Sequence, residues 1–146
     1  MNPTDAEVEA ALRAAPPDRW RDLAAAVAAV EAADGHATWA GGATVDGATQ
    51  APYPVYSAAV ERLLAAVGRV GAIVVFAWPG WDGLDRYDDP TRLRHAPAAD
   101  AARLVTAIVR GERFGDGTIA NAVDDGRLPA AVRRLLDWYE TPAEHF

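Results

Sequence analysis

Residues 100–139, DAARLVTAIVRGERFGDGTIANAVDDGRLPAAVRRLLDWY, carry a strong helical pattern and decide the class of the fold. Apolar side chains at helical spacing predict a central helix that ends near Gly111. A short helix is expected from Thr118 to a stop at Gly126, and a last amphipathic helix begins at Pro129. The C-terminal part of the chain is therefore predicted to be helical throughout.

Two further helices are predicted in the N-terminal residues 1–35. Thr4 and Glu7 have the spacing of a capping box, which begins the first helix, and Pro16 and Pro17 end it. One apolar stripe marks the second helix: Trp20, Leu23, Val27 and Val30. This spacing is typical of an amphipathic helix on the surface of a domain.

The helical pattern is lost between His36 and Pro54, where glycine and proline are frequent. We expect a long loop here, with one strand-like piece at 37–40 around Trp39. Helical spacing returns at Val55 or Tyr56 and predicts a helix that ends at Gly68 or Gly71. Ser57 lies at the expected start of this helix, where serine is a common cap residue.

The segment Ala72–Trp78, AIVVFAW, is rich in β-branched and aromatic residues and lies between Gly71 and Pro79. It predicts a buried strand, with residues 84–87 as a candidate hairpin partner. We therefore expect one domain over residues 1–146 with an α+β, mainly helical fold. About six helices would surround a small sheet of two or three strands, centred on 73–76.

Composition excludes several kinds of chemistry. The 146-residue chain has no cysteine, so disulfides and thiolate nucleophiles are excluded, and it has no lysine for a Schiff base. No apolar run is long enough to span a bilayer, and we expect a cytoplasmic protein. The formal net charge of −7 argues against nucleic acid as a partner. The bias toward Ala, Gly, Pro and Arg resembles that of GC-rich bacterial genomes.

Three stretches carry a family resemblance: PYPVYSAAVERL (52–63), FAWPGW (76–81) and the segment 100–139 quoted above. They resemble the uncharacterised bacterial family DUF6508 from about Trp39 to Tyr139, with VTAIVRGERFGDGTI as the most specific part. Residues 1–35 lie outside this resemblance. Because the family has no assigned reaction, the resemblance implies no chemistry.

The candidate site is an aromatic and acidic cluster that follows the predicted strand, where loops often carry function. Its candidate ligand-binding residues are Trp39, Tyr53, Tyr56, Trp78, Trp81, Asp82, Asp85, Tyr87 and Arg113. Aromatic rings beside carboxylates suit stacking on a polar ligand, and we expect the three tryptophans to line one concave surface. The alternative is that the tryptophans cap the core and the aspartates form a solvated turn.

The carboxylate and histidine spacings match no metal-binding pattern, so we expect neither a metal nor a cofactor. A second cluster places Arg103, Thr106 and Arg110 on one helical face, where arginines can bind a carboxylate or phosphate. The alternative is internal pairing. For Arg113 we expect such internal bonds, with the ring of Phe114 buried beside it.

The leading hypothesis for function is a binding or accessory module that holds a small polar ligand or a partner peptide in the aromatic and acidic cleft. The alternative is a small cofactor-free enzyme that uses Asp82, Asp85 and Arg113 for acid-base chemistry. A helix-turn-helix DNA-binding protein is less favoured, because its recognition helix would have no excess positive charge. Catalytic residues and oligomeric state stay open.

Overall fold

The computed structural model of the protein describes residues 2–141. Its elements are α1 (Asp5–Ala14), α2 (Pro17–Ala32), β1 (Ala37–Ala40), β2 (Thr44–Val45), β3 (Ala48–Thr49), β4 (Tyr53–Tyr56), α3 (Ala58–Arg69), α4 (Gly83–Arg86), α5 (Ala98–Gly111), α6 (Thr118–Asp124) and α7 (Arg127–Glu140). Two 3₁₀ turns, Trp78–Gly80 and Pro90–His95, connect the helices after α3. The fold is mainly helical with two small antiparallel sheets, which confirms the predicted α+β class.

The predicted helix starts are largely confirmed, because they depend on local hydrogen bonds. The Thr4 side chain accepts from the Glu7 amide, and the Glu7 side chain accepts from the Thr4 amide, which completes the capping box of α1. Ser57 caps α3 by accepting from the Val60 amide at 3.2 Å. The single-turn helix α4 is the one α-helix that the sequence did not predict.

Helix α5 lies at the centre of the packing and contacts α1, α6 and α7. Ten of its residues are buried, and the buried apolar side chains of all the longer helices join it in one core cluster. Helix α2 packs on α3 and α7, where the ring of Trp20 stacks on Tyr139 at 4.3 Å between centroids. The core is thus built from helix against helix, and the sheets contribute little to it.

Both sheets lie at the surface, which corrects the expectation of a loop over 36–54 and of a central sheet. Strand β1 pairs antiparallel with β4, from Ala37 opposite Tyr56 to Ala40 opposite Tyr53. Strands β2 and β3, of two residues each, pair antiparallel as a hairpin that lies between β1 and β4 in the chain. The strand predicted at 37–40 is confirmed, whereas residues 53–56 belong to β4 and not to the following helix.

The strand predicted at 72–78 is wrong. Among residues 2–141 this segment has no strand partner. Residues 84–86 belong to α4 and Tyr87 is its C-cap, so they do not return as a hairpin. The segment lies on α5, where the Thr106 hydroxyl accepts from the Val74 amide at 2.9 Å. The single proton of this hydroxyl is shared between the Ala72 carbonyl at 3.0 Å and the Ala102 carbonyl of α5 at 2.9 Å. A helix side chain therefore makes hydrogen bonds with backbone groups of this segment that, in a sheet, would pair with a neighbouring strand. Within residues 2–141, no helix has the length and apolar character that a membrane crossing requires.

Candidate functional site

A groove of about 320 Å³ lies between the segment 74–78 and the C-terminal end of α5. We call it the arginine groove. Its lining side chains are Val74, Val75, Phe76, Trp78, Thr106, Arg110, Arg113 and Phe114. Two of the residues predicted as ligand-binding, Trp78 and Arg113, are among them.

One face of α5 carries Arg103, Thr106 and Arg110 in successive turns, and of these Thr106 and Arg110 line the groove. Arg103, in the second turn, donates to Asp100 and to the carbonyl of Pro3, and it forms an ion pair of 2.7 Å with Asp5. Thr106, one turn later, holds the segment 72–74 as described above. The side chains of Arg103 and Thr106 therefore make hydrogen bonds within the protein. The next polar residue on this face of α5 is Arg110.

The far wall of the groove is fixed at both ends. Thr106 holds Val74 at one end, and the Asn2 side chain accepts from the Ala77 amide at 3.0 Å at the other. The Trp78 amide donates to the Phe76 carbonyl and begins the 3₁₀ turn. The wall is thus positioned by contacts that leave the side chains of Val75 and Trp78 at the groove.

Arg110 and Arg113 are exposed, and their guanidinium groups make no hydrogen bond or ion pair with any residue of 2–141. This corrects the prediction that Arg113 bonds carbonyls or carboxylates within the fold. A guanidinium presents five donors in a planar fork that matches a carboxylate or a phosphate. The two arginines give the groove a local positive charge on a chain whose formal net charge is −7.

Two aromatic rings border these arginines. The centroids of Trp78 and Phe114 are 6.0 Å apart and their planes are tilted by 43°. Phe114 is 80% exposed, so the prediction that its ring is buried is wrong. The neighbouring turn is held by Glu112, which leaves the Phe114 ring at the surface.

Glu112 is the structural anchor of this region, a role that the sequence analysis did not assign to it. Its carboxylate accepts from the amides of Gly117 and Ile119 at 2.8 Å each and from the Tyr56 hydroxyl at 2.6 Å. The Tyr56 oxygen in turn accepts from the Ala120 amide at 3.1 Å. Burial and the bond to Glu112 raise the pKa of Tyr56 well above its ordinary value. Tyr56, a predicted ligand-binding residue, thus belongs to this internal network.

The predicted aromatic and acidic cluster also turns out to be structural in part. The Tyr87 side chain is buried and donates to Asp100 at 2.6 Å, and burial together with this bond raises the pKa of Tyr87. The Trp81 ring packs edge-on against Phe76 at 5.7 Å. Asp82 pairs with Arg86 at 2.7 Å on the surface.

The remaining predicted residues lie away from the arginine groove. Asp85 is exposed in α4, and Tyr53 is exposed in β4 against the backbone of Gly41. Trp39 lies over Gly117, where a Cβ atom would come within 3.0 Å of the indole. Of the three tryptophans expected to share one concave surface, only Trp78 lines the arginine groove.

A larger concavity of about 480 Å³ lies between α7 and the 3₁₀ turn at 90–95. Three arginines line it. Arg134 donates to the Ala96 carbonyl at 2.7 Å and pairs with Asp137, Arg133 pairs with Glu31, and Arg94 has no hydrogen bond or ion pair with residues 2–141. The larger concavity therefore has one guanidinium group without a partner and a carboxylate, Asp137, in its lining, whereas the arginine groove has two such guanidinium groups and no carboxylate. Within residues 2–141, no three His, Asp or Glu side chains are grouped as metal ligands would be.

The sequence profile described as "Family of unknown function (DUF6508)" matches residues 15–141, so the chain belongs to this family. The match begins well before Trp39 and includes α2, which the resemblance drawn from the sequence left out. The comparisons with curated proteins and with solved structures gave no significant match.

Proposed function

We propose that this member of the DUF6508 family is a binding module whose arginine groove holds a ligand with a carboxylate or phosphate group. The observation that carries the proposal is the pair Arg110 and Arg113, one helical turn apart, exposed, and without a partner in residues 2–141. Arginines that stabilise a fold are normally bonded to carboxylates or carbonyls, as Arg103 and Arg134 are here. The two groove arginines instead have their donors available for a ligand.

The surroundings of the arginines support an anion attached to an apolar or planar group. Trp78 and Phe114 supply ring surface beside the guanidinium groups, and aromatic rings stack on planar ligands. A volume of about 320 Å³ is at the lower end of the usual range for small-molecule sites. The sequence hypothesis of an aromatic binding site is therefore retained, with arginines in place of the aspartates as the charged component.

Binding is favoured over the catalytic alternative by the chemistry of the lining. The enzyme hypothesis required Asp82 and Asp85 beside Arg113, but neither aspartate lines the groove. The described lining residues include no carboxylate or imidazole, which are the usual groups for proton transfer at neutral pH. As before, we take the protein to be bacterial and cytoplasmic.

An NMR titration with phenyl phosphate tests the proposal, with benzyl alcohol as the uncharged control. We expect phenyl phosphate to shift the backbone amides of Val75 and Phe114 and the indole N–H of Trp78, while benzyl alcohol does not. Arg110→Ala and Arg113→Ala should each weaken binding by about tenfold, since each removes a charge-assisted bond.

Arg21→Ala is the matched control, because Arg21 is an exposed arginine of α2 that lies outside the groove. It should bind phenyl phosphate like the wild type. Equal weakening by all three arginine variants, or shifts scattered over the whole surface, would mean a nonspecific response to charge and would refute a site in the groove.

A further inference from the structure

The rim of the arginine groove carries apolar surface that a ligand inside the groove would not cover. Val75 is 83% exposed and Phe114 is 80% exposed, which makes them the most exposed of the large apolar side chains in the described part of the chain. Both lie at this one groove. Exposed apolar side chains gathered at one place are a feature of surfaces that bind other proteins.

Resting on the proposed function, we propose that the natural occupant is a short acidic segment of a partner protein. An aspartate or glutamate of this segment would bind Arg110 and Arg113. An apolar side chain next to it would cover Val75 and Phe114. The structure thus offers the two parts that such a segment needs, an anion site and an apolar rim, within a single groove.

Charge complementarity favours an acidic segment over a basic one. The chain has a formal net charge of −7, so an acidic peptide is repelled overall, and this groove brings two unpaired arginines together at one place. Such a distribution directs an acidic partner to one place and disfavours others. Asp116, two residues after Phe114, is an exposed acid near the site. We therefore expect the carboxylate of the occupant to lie closer to Arg110 than to Asp116.

The size of the site favours a short segment over a folded face. The groove has a volume of about 320 Å³ and eight lining residues, whereas a standard protein interface involves about 20 to 30 residues on each side. Recognition of a few residues by one anion site and one apolar contact fits these dimensions. The expected affinity is accordingly in the micromolar range.

The test uses a fluorescein-labelled, capped nonapeptide in which two aspartates flank one tryptophan in a glycine-serine background. Its binding to the full chain is followed by fluorescence anisotropy. Two matched peptides replace the aspartates with lysine or the tryptophan with serine. We expect binding of the first peptide alone, and weakening by about tenfold in both Arg110→Ala and Arg113→Ala.

Rim variants separate this inference from the proposed function. Val75→Ser should weaken peptide binding by about tenfold, because it removes apolar contact area, yet leave phenyl phosphate binding unchanged. Phe114→Ser should weaken the binding of both probes, because the Phe114 ring also borders the arginines. Val45→Ser is the control, since Val45 is an exposed valine in β2, outside the groove. It should bind both probes like the wild type.

Three outcomes would overturn the inference. If phenyl phosphate binds through the arginines while the peptide does not, or binds without regard to Val75 and Phe114, the acidic segment is refuted and the proposed function stands. If neither probe binds, both proposals fall. If the protein forms a dimer in analytical ultracentrifugation that Phe114→Ser abolishes, the rim is covered by a second copy and not by a foreign segment.

Discussion

The hydroxyl of Tyr56 donates a 2.6 Å hydrogen bond to the Glu112 carboxylate, across a separation of 56 residues in the sequence. This bond joins the end of β4 to the turn between α5 and α6. The same carboxylate accepts from the Gly117 and Ile119 amides, so one side chain fixes the sheet and the start of α6 together. The bond also determines the course of the chain through Arg113 and Phe114, at the edge of the arginine groove.

Replacing Glu112 should destabilise the fold strongly. Glu112→Ala leaves two backbone amides and the Tyr56 hydroxyl without their acceptor, and such losses cost about 1 to 3 kcal/mol for each group left unsatisfied. Allowing for water replacing part of these bonds, we expect the free energy of unfolding in urea to fall by about 2 to 4 kcal/mol. Arg113→Ala, next in the chain, should change it by less than about 0.5 kcal/mol. The reverse order would show that Arg113 is the anchor.

The stability of the protein should depend on Tyr56 at alkaline pH. The raised pKa of Tyr56 means that above pH about 10 the unfolded chain loses a phenol proton that the folded protein keeps. The free energy of unfolding should therefore decrease as the pH rises above 10, by up to about 1.4 kcal/mol per pH unit. Below that pH Tyr56 should contribute no pH dependence to it. Tyr56→Phe removes this contribution.

Urea unfolding of the wild type and Tyr56→Phe between pH 9 and pH 11.5 measures the effect. The wild type should lose stability more steeply with pH than the variant. Tyr87→Phe should also reduce the slope, because the pKa of Tyr87 is raised as well. Parallel curves for the wild type and Tyr56→Phe would exclude a contribution from the Tyr56 phenol.

The sequence predicted the long helices well because their signals are local. The Thr4–Glu7 capping box and the Ser57 cap each lie within a few residues of the groups that they bind. The segment 72–78 has the composition of a strand, but a strand requires a partner elsewhere in the chain. That partner is absent from the described fold, and the side chain of Thr106, 32 residues away from Val74, takes its place. No local pattern indicates such a replacement.

The same reason explains the partial success at the site. Trp78 and Arg113 line a groove in the structure, and their role in ligand binding stays a prediction. Tyr56 and Tyr87 instead donate to carboxylates 56 and 13 residues away in the sequence. Glu112 lies next to Arg113 and is equally polar. Which of the two side chains bonds within the fold depends on where the Gly117 and Ile119 amides lie. Their position is known only once the chain is folded.

Asp100 and Asp82 should differ sharply in their importance for stability. The Asp100 side chain is only 12% exposed, and it accepts from Tyr87 at 2.6 Å and from Arg103 at 2.9 Å. Asp100→Ala should lower the free energy of unfolding by about 3 kcal/mol, because the buried Tyr87 hydroxyl and the partly buried Arg103 guanidinium lose their acceptor. Asp82→Ala removes only a surface pair with Arg86 and should cost at most about 1 kcal/mol. Comparable losses in urea unfolding would contradict this assignment.

We expect no binding to duplex DNA at physiological salt. The arginines that a helix-turn-helix would need on α7 are engaged, Arg133 with Glu31 and Arg134 with Asp137. With a formal net charge of −7, the chain lacks the excess positive charge that supplies most affinity for phosphates. Fluorescence anisotropy with a labelled random duplex should remain flat up to high micromolar protein. A micromolar complex that weakens as salt is added would restore the DNA-binding hypothesis.

Gly117 should tolerate no side chain, for two separate reasons. Its φ of +94° lies in the left-handed region, which costs other residues about 1 to 2 kcal/mol, and a Cβ atom would lie 3.0 Å from the Trp39 indole. Gly117→Ala should therefore lower the free energy of unfolding by about 1 to 3 kcal/mol. Gly35→Ala is the control, because Gly35 has no positive φ and no neighbour within 4 Å of an added Cβ.

The double variant Gly117→Ala/Trp39→Ala separates the backbone cost from the steric cost. Compared with Trp39→Ala alone, the double variant should show the backbone cost of the left-handed φ and no steric cost, because the indole is absent. If Gly35→Ala and Gly117→Ala unfold at the same urea concentration, the turn that presents Arg113 and Phe114 does not depend on the left-handed glycine.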